Sequence, residues 1–375
     1  MNQAVNLTLM IGPGFPVPVP AEVLDALVSA QVTVRTDGPS LFQLSFSVDT
    51  NSPLQTLLLL AGGSLPPLMR VILAVTINGG TQVIMDGVIT NTEVTPGIEN
   101  RHALITLTGE DLTAVMNWID FSGIPYPAMP PEARVALIVA KYSFLGIIPM
   151  VIPSILIDVP IPVFEIPRQQ GKDLQYIRML ADRVGYVFYL DPGPEPGMSV
   201  AYWGPEIKIG TPQPALSINM DALTNVEMLS FSLDAEKKRL PVLMIHEPIS
   251  KAIIPIPVPD VTPLNPPLGL VPPLPKHIDF IHETADLNPL QAAVIGLTKA
   301  SKSSDAVFGS GTLDVARYGR LLKARSLVGV RGAGMAFDGL YYVTEIVHRI
   351  KRGEYKQEFK LARNALVSTF STVPV

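Results

Sequence analysis

Two nine-residue segments near opposite ends of the sequence match each other. Residues 86–94 (DGVITNTEV) and 338–346 (DGLYYVTEI) share Asp, Gly, Thr and Glu at equivalent places, and three further positions are apolar in both. Each segment follows a strand-like run and a glycine-containing turn, residues 78–80 in one case and 332–334 in the other, and each precedes another alternating run. A match with matching flanks predicts two related β modules within one chain.

The first module is predicted from the alternation of apolar and polar residues, which buries one face of a strand. Strands are expected at residues 42–48, 71–77, 82–94 and 103–109. Asp111 is expected to cap a short helix that ends at Trp118. Four prolines in residues 1–25 indicate an extended N-terminal arm. We therefore expect residues 1–120 to form a first antiparallel β-barrel domain that carries this arm.

The middle of the chain changes to a helical pattern. Helices are expected at residues 131–142 and 173–184, and strands at residues 186–190 and 198–203. Residues 135–140 are all apolar, which predicts that this helix is buried on every side. Gly185 follows the second helix in the place of a C-terminal capping glycine. Residues 121–220 are expected to form a small α+β domain.

The last part of the chain, residues 221–375, is expected to form the second β-barrel domain with a proline-rich insertion. The insertion, residues 252–275, contains nine prolines and one charge, and it predicts an extended, polyproline-like crossing rather than a helix or a central strand. A helix is expected from Asn288–Pro289 to about Ala300. The run Phe308-Gly309-Ser310-Gly311 is expected to be a loop.

Composition excludes several classes of function. The chain has no cysteine, which rules out a disulfide scaffold, a thiolate metal site and a cysteine nucleophile. The net charge of −5 argues against nucleic-acid binding, which requires a basic surface. Charged residues make up 16% and apolar residues 47%, a balance that indicates large covered surfaces. The long uncharged stretches at residues 50–69 and 142–157 are broken by proline, so no membrane span is expected; residues 1–21 also lack the basic start of a secretion signal.

Three histidines are considered as candidates for metal binding or catalysis. His277 and His282 lie near Asp279 and Glu283, but they are five residues apart, and the zinc-helix spacing of four with an intervening Glu is absent. We therefore expect no metal site at these residues. His348 is expected to be a packed or interface histidine.

Other candidate motifs have simpler structural explanations. Ser310 lacks the spacing of a nucleophile elbow, and the glycines around Ala333 should precede a strand rather than the helix of a dinucleotide site. Glu110 and Asp111 suit helix capping. Five basic residues near the C-terminus are expected to form a solvated strand edge or hairpin, or else to face an acidic partner: Lys351, Arg352, Lys356, Lys360 and Arg363. The sequence thus predicts no catalytic, cofactor-binding or metal-binding residue.

The C-terminal region resembles a known family. Residues 317–322 (RYGRLL), 328–334 (VGVRGAG) and 337–348 (FDGLYYVTEIVH), followed by Gly353-Glu354-Tyr355 and Phe359, are similar to the phage late control D family. That family comprises the baseplate hub proteins of contractile tails and the first part of VgrG spike proteins. Residues 173–203 resemble its middle segment. Its first module is matched by Asp86-Gly87 and by residues 108–112 (TGEDL).

The resemblance implies a fold and a function. The fold class would be α+β and mainly β, with two related tube-like β-barrel domains flanking a small α+β middle region. The protein would be a structural, non-enzymatic baseplate hub, a homotrimer that joins a hexameric inner tube to a trimeric spike and contacts other baseplate proteins. It would be assembled in the cytoplasm and become part of a phage tail or contractile injection particle. Because the chain ends at Val375 without an OB-fold or β-helix, a separate spike protein is expected.

Two other functions are considered. A tail-associated enzyme that degrades the cell wall would need convergent acids or a histidine-based constellation, and none can be assembled from the sequence. A β-barrel adhesin or carbohydrate-binding module would need exposed aromatic residues, whereas aromatics are 7% of the chain and mostly alternate toward the interior.

Overall fold

A computed structural model of the chain describes residues 5–49, 68–97, 102–154, 166–246, 253–259, 262, 265–281 and 289–369. Strands account for 50% and helices for 17%, so the expected mainly β fold is confirmed. None of the helices in these ranges is both long enough and apolar enough to cross a bilayer.

Strands dominate the order of elements along the chain. The strands are β1 Asn6–Pro13, β2 Val17–Pro18, β3 Leu27–Arg35, β4 Leu41–Val48, β5 Met69–Ile77, β6 Gly80–Thr95, β7 Ala103–Asp111, β8 Ile147–Val151, β9 Val187–Pro192, β10 Ser199–Gly204, β11 Gln213–Ser217, β12 Val226–Leu233, β13 Arg239–His246, β14 Ile253–Pro257, β15 Gly269–Val271, β16 His277–Ile281, β17 Val307–Asp314, β18 Leu327–Arg331, β19 Gly339–Lys351, β20 Glu354–Arg363 and β21 Leu366–Ser368. The α-helices are α1 Ala21–Ala26, α2 Pro131–Ala140, α3 Asp173–Val184, α4 Pro289–Lys302 and α5 Val315–Tyr318. The 3₁₀ helices are η1 Leu112–Asn117, η2 Ser143–Leu145 and η3 Asp221–Leu223.

Thirteen strands form one large sheet instead of the two expected barrels. Its order is β12-β17-β20-β19-β3-β4-β7-β6-β5-β1-β2, with β18 and then β11 branching from β19. No closed barrel is found in the described part of the chain. The cause is the antiparallel pairing of β19 with β3, which joins the two halves through backbone hydrogen bonds. Pairing between strands so far apart in sequence leaves no local signal.

The internal repeat is present in the topology. The first module has the order β3-β4-β7-β6-β5-β1, and the second has the corresponding order β12-β17-β20-β19-β18-β11. Every equivalent pair is antiparallel except the outermost, where β1 runs antiparallel to β5 and β11 runs parallel to β18. The matching segments of the sequence lie in β6 and β19, which occupy the same place in their modules.

The repeated glycine has a steric cause in both modules. A Cβ on Gly87 would lie 2.2 Å from the carbonyl oxygen of Glu110 on the neighbouring strand. Gly339 has a φ of +134°, and a Cβ there would lie 2.8 Å from Nη1 of Arg363. Neither site accepts a side chain, so this position of the repeat requires glycine in each copy.

One hydrophobic core runs under both modules. The apolar residues of β4 that alternate in sequence, Phe42, Leu44, Phe46 and Val48, are all buried, as predicted. The expected loop at residues 308–311 is wrong, because these residues form part of β17. Gly309 and Gly311 face the rings of Phe231 and Phe359, and these rings fill the space that side chains would need.

The middle region packs two helices against the three-stranded sheet β8-β10-β9. The predicted apolar stripe of α3 is buried, and Gly185 has a φ of +74° at its end, as expected. The prediction that α2 is buried on every side is wrong, since Leu137 is 49% exposed. This middle core also includes Val88 of β6, which attaches it to the first module.

The proline-rich insertion contains strands that were not expected. Its strand β14 forms a small sheet with two strands that flank the insertion in sequence, and in this sheet β14 is antiparallel and β16 parallel to β13. Helix α4 covers one face, where Leu243 and Ile281 are buried. Residues 253–257 were expected to be polyproline-like, but they form an edge strand. Proline is tolerated in an edge strand because the outer side of that strand has no neighbour to which a backbone N–H would have to donate.

The N-terminal segment is extended, as expected, but it is not a free arm. Strand β1 pairs with β5 over eight residues, from Asn6 opposite Thr76 to Pro13 opposite Met69. Leu9 on this strand is 2% exposed and lies in the main core. The segment therefore belongs to the first module.

Candidate functional site

Two of the open strand edges in the described part of the large sheet lie on β12 and on the second half of β6. Strand β12 pairs with β17 on one side, and its other side pairs with no described strand. Strand β6 pairs with β5 only as far as Val88, so residues 89–95 are hydrogen-bonded to β7 alone. Unpaired backbone groups on a long edge favour pairing with another strand.

The second module shows what normally covers such an edge. The first part of β19 pairs with β18, and its second part, Glu345–Lys351, pairs on the same side with β3. Strand β19 is the counterpart of β6, and β3 is the counterpart of β12. Within the chain, β19 pairs with β3. The equivalent pairing would join β6 to β12, and these two strands do not pair within the chain.

Burial reflects this difference. In the covered half of β19, Ile346 is 1%, His348 5% and Ile350 9% exposed. In the open half of β6, Val94 is only half-buried and Thr95 is exposed. On the open edge strand β12, Met228 is 57% exposed.

His348 is packed inside the β19–β3 junction, as predicted. It lies opposite Val32 of β3, and its Nδ1 is 2.7 Å from the hydroxyl of Tyr355. Burial lowers the pKa of His348 to about 4. The imidazole is therefore neutral at pH 7 and serves as part of the core.

Ion pairs cover the solvent side of the same junction. Glu345 accepts from Arg35 at 3.3 Å and from Lys360 at 3.1 Å, and Arg349 binds Glu358 at 2.6 Å. These pairs lie at least partly in solvent, so each contributes little to stability but favours this register.

The five basic residues near the C-terminus are distributed between solvent and core. All five lie on the β19–β20 hairpin, and four are at least partly in solvent, as predicted. Three of these four have carboxylate partners: Arg352 with Asp25, Lys356 with Glu227 and Glu354, and Lys360 with Glu345. Arg363 departs from the prediction, since it is fully buried and stacks on Tyr341 at 4.5 Å. Its guanidinium donates to the carbonyl oxygens of Ala336 and Asp338.

A buried ion pair joins three parts of the chain. Arg70 of β5 donates to both carboxylate oxygens of Asp86 of β6, each at 2.7 Å. Arg70 also donates to the carbonyl oxygens of Gly14 and Gly197, and Ser199 donates to Asp86. Burial raises the pKa of Asp86, while the Arg70 hydrogen bonds and charge oppose that rise. The pair connects the N-terminal segment, the first module and the middle region.

Sequence reasoning missed this pair, although a signal existed. Arg70 is a single charge at the start of the apolar run of β5, and Asp86 opens the matching segment. A charge flanked by buried strand positions usually has a buried partner. Asp338, matched to Asp86 in sequence, instead accepts from the backbone N–H of Ala333 and closes the preceding turn.

Asp111 performs the predicted capping. Its carboxylate accepts from the backbone N–H of Thr113 at 3.0 Å and from that of Ser40 at 2.6 Å. The helix it caps is 3₁₀ and ends at Asn117, with Trp118 as its C-cap. Burial raises the pKa of Asp111.

A cleft of about 970 Å³ lies between the middle region and the polar face of the second module. Its walls include Asp182 of α3, the β3–β4 turn, and Ser310 and Lys360 of the sheet. Lys208, 3% exposed, binds Asp305 at 2.8 Å in this cleft. The Lys208 charge is thus neutralised by a neighbouring carboxylate.

The candidate chemical groups do not come together. Ser310 Oγ lies 2.9 Å from Ser230 Oγ, an arrangement without a base. His277 pairs with Glu236 at 2.9 Å, and His282 and Glu283 lie outside the described residues. Within the ranges that the structure covers, no group of three or more His, Cys, Asp or Glu could hold a metal. That the chain has no catalytic or ligand-binding residue stays a prediction.

Comparison with known proteins identifies the fold. The tail protein from Neisseria meningitidis MC58 matches with a TM-score of 0.62 and 13% identity, over 96% of this chain and 97% of that one. The 43 kDa tail protein of prophage MuSo2 from Shewanella oneidensis matches with a TM-score of 0.61 and 15% identity, over 97% and 100%. A chain of the half-lidded Francisella PdpA–VgrG complex matches with a TM-score of 0.59 and 10% identity, over 99% and 60%. No family model and no curated protein matches the sequence.

The chain therefore has the fold of phage tail proteins over nearly its whole length. The resemblance to the hub family that the sequence suggested is confirmed at the level of the fold.

Proposed function

We propose that this chain is a structural baseplate hub protein of a contractile phage tail or a phage tail-like injection system. In this proposal it forms a homotrimer that joins a hexameric inner tube to a trimeric spike. The observation that carries the proposal is the repeated sheet, in which one junction between modules is made inside the chain, while the strands of the equivalent junction, β12 and the second half of β6, are left open.

The open edges suit a ring. If β12 of one copy pairs with the open half of β6 of the next, the new junction repeats the antiparallel β19–β3 junction. The two surfaces differ, so the contact is head-to-tail, and such contacts produce rings when the rotation closes. Three copies with two modules each would place six similar modules around one axis. A ring of this kind can meet a six-fold partner on one face and a three-fold partner on the other.

The equivalence also gives a register. In the first module, Gln31, Gln43, Thr108 and Asn91 lie in one row across four strands. When the two modules are aligned on the register shifts before Asn91 in β6 and before Glu345 in β19, the row Ser230, Ser310, Lys360 and Glu345 corresponds to it in the second module. Inside the chain Gln31 lies opposite Arg349, four residues after Glu345. The corresponding contact between copies would place Ser230 opposite Thr95, four residues after Asn91.

Partners and location follow from the same proposal. The ring would bind the inner tube on one face and a separate spike protein on the other, with further baseplate proteins around it. It would assemble in the cytoplasm and be part of the finished particle. Support comes from the fold shared with tail proteins and with a chain of a VgrG complex. The division into residues 1–120, 121–220 and 221–375 is part of this proposal.

A structural role is preferred to a wall-degrading enzyme because of the pairing in the cleft. Lys208 is held as an ammonium ion by Asp305, and an ammonium ion is not a nucleophile. The hydroxyls of Ser230 and Ser310 are hydrogen-bonded to each other.

The proposal is tested by the mass of the purified protein in solution together with low-resolution imaging. We expect a mass of three chains and a ring with a central channel. A stable monomer that cleaves a glycan or a peptide would contradict it.

A further inference from the structure

The connection between the first two strands of each module differs greatly between the modules. In the first module, β3 and β4 are joined by the short turn at residues 36–40. In the second module, the equivalent strands β12 and β17 are joined by residues 234–306, which contain the small sheet β14-β13-β16 and helix α4. Residues 234–306, which include the proline-rich residues 252–275 and are called the insertion from here on, thus stand where the first module has only a turn.

The short turn contacts the neighbouring module. The backbone N–H of Thr36 donates to the carbonyl oxygen of Thr344 at 3.0 Å. Arg325 of the second module donates to the carbonyl oxygen of Arg35, and the Arg35 side chain binds Glu345. The connection that follows β3 therefore lies against the second module, with which β3 pairs. In the proposed ring β12 pairs with the first module of the next copy, so the connection that follows β12 would lie against that module.

The insertion carries an apolar surface that its own helix leaves uncovered. On β16, Ile278 is 57% and Phe280 53% exposed, and they lie opposite Leu240 and Val242 of β13. The other face of the sheet packs on α4, and α4 in turn contacts α3 of the middle region. The uncovered face therefore points away from the middle region of its own chain.

The outer edge of β14 cannot dock on a partner by pairing with a further strand. Pro255 and Pro257 lie opposite Met244 and Val242, and neither proline has an N–H group to offer to a further strand. Charges beside the apolar face are matched within the insertion, since Arg239 binds Asp279 at 3.1 Å and Lys276 binds Glu236 at 2.5 Å. What the insertion offers to a partner is an apolar face rather than a strand edge or a free charge.

We propose that the insertion is a clamp between copies, in which Ile278 and Phe280 dock on the first module of the next copy of this chain. This inference rests on the proposed ring. The occupant is a second copy because the internal repeat places the insertion over the open half of β6, where Asn91 and Thr95 correspond in register to Glu345 and Arg349.

The test compares assembly of the full-length protein with that of the Ile278→Ser/Phe280→Ser double variant. Both side chains are more than half exposed in the single chain, so the variant monomer is expected to keep its fold, checked by circular dichroism. Sedimentation over a range of concentrations should show assembly weakened roughly tenfold or more, since two apolar contacts are lost. The control is Phe144→Ser, a 60% exposed aromatic on the middle region, which should assemble as the wild type does.

Hydroxyl-radical footprinting of the unmodified protein gives a second readout that does not depend on a variant. Labelling of Phe280 should fall when the protein assembles, and labelling of Phe144 should not. Wild-type assembly by the double variant, with Phe280 labelled equally in ring and monomer, overturns the clamp and leaves the proposed ring intact. A wild-type protein that stays monomeric at every concentration overturns both.

Discussion

Arg70 and Asp86 face each other across β5 and β6 in a two-point ion pair, with both nitrogen–oxygen distances at 2.7 Å and both side chains at most 2% exposed. The same guanidinium reaches the carbonyl oxygens of Gly14 and Gly197. This one pair therefore holds the N-terminal segment and the middle region against the first module.

Removing the carboxylate from this pair should destabilise the fold strongly. In the Asp86→Asn variant the guanidinium of Arg70 stays buried without its counter-charge, and we expect a loss of about 3 kcal/mol or more in the free energy of unfolding. The matched control is Asp338→Asn, at the equivalent place in the repeat, where one backbone hydrogen bond is affected and a loss of about 1 kcal/mol is expected. Urea denaturation measures both. Equal losses would show that the buried pair has no special role.

The buried histidine predicts a dependence of stability on pH. Because burial lowers the pKa of His348 to about 4, the native protein keeps this ring neutral between pH 4 and about 6.5, whereas the unfolded chain protonates it. Stability should therefore fall as the pH decreases through this window, with a contribution of about 1.4 kcal/mol per pH unit. The contribution should be present in full above pH 6.5.

The His348→Gln variant isolates this contribution from that of other groups, such as Asp86 and Asp111. Its free energy of unfolding, measured in urea at several pH values, should depend less on pH between 4 and 6.5 than that of the wild type. Parallel curves for the two proteins would contradict the account of His348.

Substitution of the repeated glycine Gly87 should cause a steric clash, whereas substitution of Gly80 on the same strand should not. Gly87→Ala places a methyl group 2.2 Å from the carbonyl oxygen of Glu110, so the paired strands must separate, at a cost of about 2 kcal/mol or more. Gly80→Ala, on the same strand, meets its nearest atom at 3.6 Å and should change stability by less than about 1 kcal/mol. Thermal unfolding of both variants checks the difference, and similar melting temperatures would refute the close approach.

The capping carboxylate gives a fourth prediction. Asp111→Ala leaves the backbone N–H groups of Ser40 and Thr113 without their acceptor in a buried site, which should cost about 2 kcal/mol. Ser122→Ala is the control and should be nearly neutral, since it removes two exposed hydrogen bonds, one that the hydroxyl donates to Asp120 and one that it accepts from the backbone N–H of Gly171. Denaturation of the two variants in urea distinguishes them.

Local patterns were sufficient for most single elements. Strand β4, helix α3 with Gly185, and the Asp111 cap could be predicted because alternation, apolar spacing and capping residues act over a few positions. The repeat could also be recognised, since it is written in residues 86–94 and 338–346. These predictions identified which faces of the strands and helices are buried within each module.

Long-range pairing could not be predicted. The union of the two modules through β3 and β19 depends on strands with no sequence signal for each other, and it changes two barrels into one sheet. Strand β17 looked like a loop because its glycines, Gly309 and Gly311, match rings on neighbouring strands. The open edges of β6 and β12, on which the proposed function depends, follow only from the assembled sheet.

Disulfide trapping tests the ring most directly. The chain has no cysteine, so the Thr95→Cys/Ser230→Cys variant would have only these two thiols. Within one chain β12 and β6 are seven strands apart in the order of the sheet and do not pair with each other. A bond between two copies is recognised by its mass on a non-reducing gel, since a bond within one chain leaves a monomer.

Under mild oxidation we predict a closed, covalent trimer of this variant on non-reducing gels, converted to monomer by reductant, while each single-cysteine variant gives at most a dimer. A variant with Thr95→Cys and Ser232→Cys covers a shift of the register by two residues. If both double variants stay monomeric under oxidation at concentrations where the mass in solution is that of three chains, the β6–β12 junction is wrong.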